Sequence, residues 1–230
     1  MKKITIAIDG PAASGKSTTA KLVAHKLGYL HIDTGAMYRA ITLKALDEKI
    51  DLNDKKEIVR LAQTSAIRLE VKDSTTKVFL DGIEVTKRIR TQLVSCSVST
   101  VSSFKGVREV MVHAQQKMAS SGGVVLEGRD IGTVVLPKAE LKIFMVASVE
   151  ERARRRKKDL ALVGIEANQD DLIQEIDARD QKDSTREASP LRKAADAIEL
   201  DTSNLTIEEQ VNFILERANE IIKEKETSCE

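Results

Sequence analysis

The sequence predicts an α/β fold with a mostly parallel central sheet covered on both faces by helices, and three observations carry that prediction. Short apolar runs of strand length alternate with segments of helical periodicity along most of the 230 residues. A glycine-rich loop stands directly between the first strand and the first helix. One stretch, Ile67 to Val85, breaks the alternation with an antiparallel pattern and reads as an inserted module.

Taken in order, Ile4 to Ile8 is a short buried strand ending at Asp9-Gly10. Ala20, Val23, Ala24 and Leu27 then fall at helical spacing, and Gly28 supplies the stop. Leu30 to Ile32 predicts a second strand, leading through Asp33-Thr34-Gly35 into another helix. In the insert, Ile67, Leu69 and Val71 alternate with Arg68, Glu70 and Lys72. Asp81-Gly82, between Val78-Phe79-Leu80 and Ile83-Glu84-Val85, is a two-residue hairpin signal. This unit is expected to be semi-independent, tied to the core by few contacts. Val107, Met111, Ala114 and Met118 mark an amphipathic helix broken by Gly122-Gly123. Val124 to Leu126 and Leu141 to Val146 are buried strands, and Ile198 to Leu200 is a last short one. Ser148 with Glu151, and Thr206 with Glu209, have capping-box spacing. They open a basic helix and a closing amphipathic helix through Val211, Ile214, Leu215, Ala218 and Ile222.

A hydrophobic content of 41% suffices for a sizeable core, which 3% aromatics make mainly aliphatic. Lys and Arg number 37 against 36 Asp and Glu, so no global field draws nucleic acid or an anionic membrane, and any anion site has to be local. No apolar run has the length of a membrane span. Met1-Lys2-Lys3 runs straight into a strand, leaving no room for a signal peptide. Cys96 and Cys229 form no disulfide framework, which suggests a reducing cytoplasm. His25, His31 and His113 share no ligand spacing, so no metal held by protein side chains alone is expected.

Gly10-Pro11-Ala12-Ala13-Ser14-Gly15-Lys16-Ser17 satisfies the P-loop pattern, with Thr18 following, and it sits where the pattern requires, after a strand and opening a helix. Glycines let backbone amides turn inward around phosphate oxygens, Lys16 supplies charge near the β- and γ-phosphates, and the Ser17 hydroxyl is a ligand for Mg²⁺. A P-loop defines the donor, not the reaction: a GTPase switch, a mechanical ATPase and a small-molecule kinase all carry one. The guanine-reading Asn-Lys-x-Asp and the Leu-Ser-Gly-Gly signature of transporter ATPases are missing, which favours a kinase with a small acceptor.

Three polar segments follow the predicted elements on the acceptor side: Asp33 to Arg39, Glu127 to Thr133, and Arg179 to Arg186, the last read as lying between helices. Together with Ile8-Asp9-Gly10-Pro11, Ile89-Arg90-Thr91, Val107-Arg108-Glu109, Gly128 to Val135 and Glu150-Glu151-Arg152-Ala153, they closely resemble bacterial cytidylate kinases over essentially the whole chain. The Gly-Phe-Pro-Arg of adenylate kinases and the Asp-Arg-Tyr of thymidylate kinases are absent. The resemblance implies one P-loop kinase domain over 1–230, with an acceptor-side β insert at about 63–105 and a helical lid at about 150–186. It also implies that Thr34, at a position where the family often has Ser, keeps an acceptor-site hydroxyl, and that Ser99, Arg108 and Asp130 meet the cytosine. Arg39, Arg129 and Arg186 would meet the acceptor phosphate, with Arg179 and Asp183 at the ribose.

The chemistry of those residue types agrees. A carboxylate such as Asp130 accepts from the cytosine N4 amino group, and a guanidinium such as Arg108 donates to N3 and O2. From Arg152 to Lys158 six of seven residues are basic. The run reads as a lid helix closing on ATP, with Arg152 and Arg156 foremost; a solvated face and a nucleic-acid patch are the alternatives. The implied reaction is transfer of the ATP γ-phosphoryl group to CMP or dCMP, by a cytoplasmic monomer with no nucleic-acid or membrane partner. A UMP kinase, or a nucleotide-dependent switch that only hydrolyses ATP, are the rival readings.

Overall fold

The computed structural model describes residues 2–72, 75–162 and 164–227, so Cys229 lies outside the described residues. Five strands form one parallel sheet in the order β2-β6-β1-β7-β8: β1 (Thr5–Asp9), β2 (Leu30–Asp33), β6 (Val124–Gly128), β7 (Leu141–Val146) and β8 (Ile198–Asp201). The predicted strands are all present, and the sheet's two faces explain the pattern within them. Ile6 and Ile8 of β1 join Val125, Ile143 and Leu200 in a cluster closed by helix α1 (Lys16–Leu27) and the last helix, α8 (Ile207–Thr227). Ala7, Ile32 and Leu126 face the other side, against Ile131, Val135 and the end of α5 (Lys105–Ala119). Strands covered on both faces lack a polar side, hence their near-continuous apolar runs.

The insert is a separate antiparallel sheet of β3 (Ile67–Lys72), β4 (Thr75–Leu80) and β5 (Ile83–Glu84). Asp81 and Gly82 both take positive φ, 50° and 85°, as the hairpin signal requires. It is not loosely attached, however. Val78, Leu80 and Val85 are buried with Ala36, Ala40 and Leu43 of helix α2 (Thr34–Asp47), and with Ile89 and Val94. The small sheet braces α2 because its alternating residues leave one face apolar, and that face has to be covered.

Three helices lie where the sequence pattern was silent or misleading. α3 (Lys55–Thr64) is capped by Asp54, whose side chain accepts from Lys56 N and Glu57 N. α4 (Gln92–Val101) is rich in Ser, Thr and Val, poor helix formers in isolation, and is held by its buried Val94, Val98 and Val101. α7 (Gln169–Thr185) carries Arg179 to Thr185 on its last turns, rather than between helices, and packs Leu172 and Ile176 against Ala153 and Leu160 of α6 (Val149–Ala161). The two predicted capping boxes differ. At α8, Thr206 and Glu209 satisfy each other reciprocally. At α6, Ser148 caps the Glu151 amide, but Glu151 turns its carboxylate to Arg154 and Arg155 instead.

Candidate active site

Because the strands are parallel, their carboxyl ends share one edge, with Asp9 beside Gly128 and Asp33 beside Glu127. The loops leaving β1, β2 and β6 open there into a cleft of about 670 Å³, walled by α4, α6 and α7.

The donor end is made by the P-loop. Gly10, Ala13 and Gly15 take positive φ of 151°, 59° and 93°, and a Cβ on Gly10 would stand 2.1 Å from the Met145 carbonyl oxygen. Gly15 leaves the first amides of α1 without a side-chain cap, the arrangement that receives an anion. Lys16 is buried and its Nζ donates to Pro11 O at 2.7 Å. Burial first, and then Arg129, pull its pKa down to about 7. Ser17 Oγ donates to Glu127 Oε2 at 2.6 Å, and His31 Nε2 lies 3.0 Å from the other Glu127 oxygen.

The opposite end of the cleft is lined by arginines. Arg39, Arg129, Arg179 and Arg186 all line the cleft, and the carboxylate among them is Asp183. Its Oδ2 accepts from Arg129 Nε at 2.9 Å, and Arg186 Nη1 is 3.5 Å from Oδ1. Although burial works the other way, the surrounding arginines hold the Asp183 carboxyl below the usual carboxylate range. Arg179 and Asp183 are i and i+4 on α7, so one helix face delivers both. Burial, followed by Arg129 and Arg39, brings Arg179 down to about 10. Buried nitrogens of Arg39, Arg179 and Arg186 have no hydrogen-bond partner among the described residues. The site thus holds more positive charge and more donors than its own acceptors satisfy, the condition that favours bound phosphate.

Deeper in the same cleft lies a second pair. Arg108 Nη2 donates to Asp130 Oδ2 at 2.5 Å, its Nη1 to Ser102 O at 3.0 Å, and its guanidinium lies over the Tyr38 ring at 5.1 Å. Asp130 therefore braces Arg108, while its chain neighbour Arg129 pairs with Asp183. Thr34 lines the cleft too, its hydroxyl donating to Glu127 O at 2.7 Å.

Ser99 and Arg152 stand back from the cleft surface. Ser99 does not line the cleft; Ser95, Val98 and Ser102 of the same stretch do, and the Ser99 carbonyl accepts from Ser102 Oγ at 3.3 Å. Arg152 is buried and paired with Asp180, and it donates to Ala147 O at 3.1 Å and to Ala12 O of the P-loop at 3.4 Å. Arg156 does line the cleft and reaches Gln92 Oε1 at 3.2 Å. Arg155, which the basic run did not single out, has Nη1 3.4 Å from where a Gly15 Cβ would be, and bonds Thr202 Oγ1. Thr202 also reaches Ser14 O, and Gln210 accepts from Thr19, so residues near the far end of the chain clamp the P-loop. Gln210 had a readable signal, a polar residue on the stripe Gln210-Ile214-Ala218 of an otherwise apolar face. Thr202 had none.

The model of the cytidylate kinase family matches residues 6–220. The chain is 54% identical over 215 residues to the cytidylate kinase of Bacillus subtilis, covering 94% of this chain and 96% of that one. It is 53% identical over 223 residues to the cytidylate kinase of Bacillus pumilus, covering 97% and 99%. Among solved structures, a gluconokinase from Sinorhizobium meliloti superposes with a TM-score of 0.53 at 14% identity, over 99% of this chain and 98% of that one, a likeness of fold alone. By the family match and by these relatives together, the chain belongs to the cytidylate kinase family.

Proposed function

We propose that the chain transfers the γ-phosphoryl group of ATP to the phosphate of CMP or dCMP, giving the diphosphate and ADP. The observation that carries this reading is the convergence, at one cleft, of a P-loop, four arginines of which three surround Asp183, and a buried Arg108–Asp130 pair. The P-loop amides of Gly10 to Thr18 and Lys16 take the donor phosphates, with Arg155 and Arg156 above them. Arg39, Arg129 and Arg186 hold the acceptor phosphate, and Arg179 and Asp183 lie at its sugar. Asp130 accepts from the cytosine amino group, and its pairing with Arg108 aims it.

The acceptor phosphate is already an anion at neutral pH, so positioning and charge neutralisation suffice without a strong base. Ser17 fits a Mg²⁺ brought with ATP. Its hydroxyl and the Glu127 carboxylate are neighbouring hard oxygen donors, and the described residues contain no cluster of three acidic, His or Cys side chains that would hold an ion without the nucleotide. When bound, the ion neutralises charge on the β- and γ-phosphates. The α6–α7 pair has its own small apolar core, which suits a lid moving as a unit to exclude water. The balanced charge and the free, exposed Cys96 fit a monomer in the cytoplasm with no nucleic-acid partner, and no described helix is long and apolar enough to cross a membrane.

A panel of CMP, dCMP, UMP, AMP and GMP with ATP and Mg²⁺, read as ADP release, tests the reading. CMP and dCMP should lead; a preference for UMP, or ADP release that ignores the acceptor, would refute it. Asp130→Asn tests base recognition within it. The amide has the same shape but turns a donor toward the uracil oxygen. The CMP-to-UMP ratio of kcat/KM should narrow about tenfold, roughly 1.4 kcal/mol. Equal losses for both acceptors would reduce Asp130 to a brace for Arg108.

A further inference from the structure

β1 ends in an acid that the phosphate loop itself does not use. Ile6 and Ile8 point to the α1–α8 side, so Asp9, like Ala7, faces the opposite side, where Ile131 packs. There its two oxygens accept from Ile131 N at 2.8 Å and Gly132 N at 2.7 Å. These are the opening amides of a single wide helical turn, Ile131–Val135, and the residue at its N-terminal boundary is Asp130. An aspartate at such a boundary ordinarily bends its own carboxylate onto the amides just ahead. Asp130 makes no such bond, and its Oδ2 goes to Arg108 instead. Gly132 makes room for this substitution: a Cβ there would stand 3.4 Å from Asp9 Oδ2 and 3.2 Å from Lys142 Cδ.

We propose that Asp9 is a positioning residue for base recognition: by capping the turn in trans it leaves the Asp130 carboxylate to pair with Arg108 and face the acceptor's base. The proposal rests on the reading of the cleft as a CMP site. It gives Asp9 a role at the acceptor end although its chain position is next to the donor's Gly10. The two ends are thereby joined through one buried carboxylate at the centre of the sheet.

Charge count matters here as well as shape. A carboxylate accepts from two N–H groups, whereas an amide accepts through its oxygen and sets its own N–H against the second donor. Asp9→Asn therefore leaves one turn amide unmatched, and Asp130 gains a reason to fold back onto it. Burial lifts the Asp9 pKa to about 6, so a neutral side chain is tolerated here and Asp9→Asn is expected to fold, less stable by the one unmatched amide.

The test measures kcat/KM for CMP and UMP at saturating ATP in the wild type, Asp9→Asn, Asp130→Asn and the double variant. Asp9→Asn should narrow the CMP-to-UMP ratio by ~3- to 10-fold, and should narrow it no further in the Asp130→Asn background, since both act through one carboxylate. An unchanged ratio with both activities depressed, or an additive second loss in the double variant, would overturn the proposal and leave Asp9 a structural cap. Should Asp9→Asn fail to fold, Asp9→Ser decides: one hydroxyl caps at most one of the two turn amides, so the ratio should narrow by ~2- to 3-fold, and an intact ratio overturns the proposal. A wild-type enzyme with no preference for CMP refutes the function itself, an outcome read before any variant is considered.

Discussion

At one end of the cleft the protein offers phosphate a curled main chain, with amides made accessible by positive φ at Gly10, Ala13 and Gly15 and a single lysine beneath. At the other end it offers side chains: Arg39, Arg129, Arg179 and Arg186, delivered by α2, the loop after β6 and the end of α7, with Asp183 paired to Arg129 and Arg186. The first arrangement is a conformation and the second is an assembly. A conformation is specified locally and tolerates little change at any atom. An assembly is specified by the whole fold, and its members lean on one another. Substitutions should therefore behave differently at the two ends.

The largest effect belongs to the donor end. Lys16→Ala removes one preorganised charge from the transferring group and should lower kcat by at least ~10²-fold. Thermal unfolding should move little, because at the buried Lys16 ammonium the repulsion of Arg129 and Arg179 opposes the attraction of Glu127 and Asp9. Near-normal turnover in a folded variant would take the P-loop out of the mechanism. At the acceptor end, Arg129→Ala and Arg186→Ala should each cut kcat/KM for CMP by ~10- to 10²-fold while changing KM for ATP far less. Equal damage to both substrates would mean that the ends are one site, and the comparison would fail.

The same contrast decides what could be read without coordinates. The P-loop is contiguous, so eight residues announce it, and the strand and helix around it follow from periodicity alone. The acceptor wall is written in scattered pieces whose meaning depends on which helix face they share. Arg179 and Asp183 were visible as polar residues, but their i, i+4 alignment depends on α7 continuing to Thr185. Ser99 shows the limit most clearly: in a helix of serines, threonines and valines every third or fourth residue is chemically alike, and only packing chooses Ser95 and Ser102 for the cleft. α3 and α4 were missed for a related reason, since tertiary burial of a few aliphatic residues outweighs weak local propensity. Arg152, which has the type and spacing of a phosphate ligand, divides its guanidinium between Asp180 and the P-loop carbonyl of Ala12, a sharing that spacing does not reveal.

Proton linkage sharpens the difference at intermediate size. Lys16 is held near pKa 7, so its charge is present below that pH and is lost as pH rises through it. A polyanion favours the protonated form. ATP binding should therefore take up protons between pH 7 and 8, and KM for ATP should rise by up to about tenfold per pH unit in that range. The ionisation of ATP itself works the other way, so a rise is diagnostic. Arg179, though lowered to about 10, stays charged throughout, and KM for CMP should be flat over the same interval. Calorimetry in two buffers of different ionisation enthalpy reads the proton uptake directly; buffer-independent heats with a flat KM for ATP would contradict it.

The smallest effect concerns the antiparallel sheet, which touches both ends unequally. Toward the donor it has Leu69, partly buried on the cluster of Ala7 and Ile32, and a long polar contact, His31 Nδ1 to Thr76 Oγ1 at 3.4 Å, continuing through Glu127 to Ser17. Toward the acceptor it has a packed face. Val78, Leu80 and Val85 support α2, which carries Thr34 and Arg39, and Val94 of α4, whose Ser95, Val98 and Ser102 line the cleft. Packed side chains transmit order better than a single marginal hydrogen bond, because a rigid face moves as a body. Amide hydrogen exchange in β4 and β5 should therefore slow on adding CMP, by a factor of about 2 to 10, and change little with a non-hydrolysable ATP analogue. Protection by the ATP analogue alone would assign the sheet to the donor through His31. It would also show that a path of polar contacts, and not the apolar face, couples the insert to the reaction.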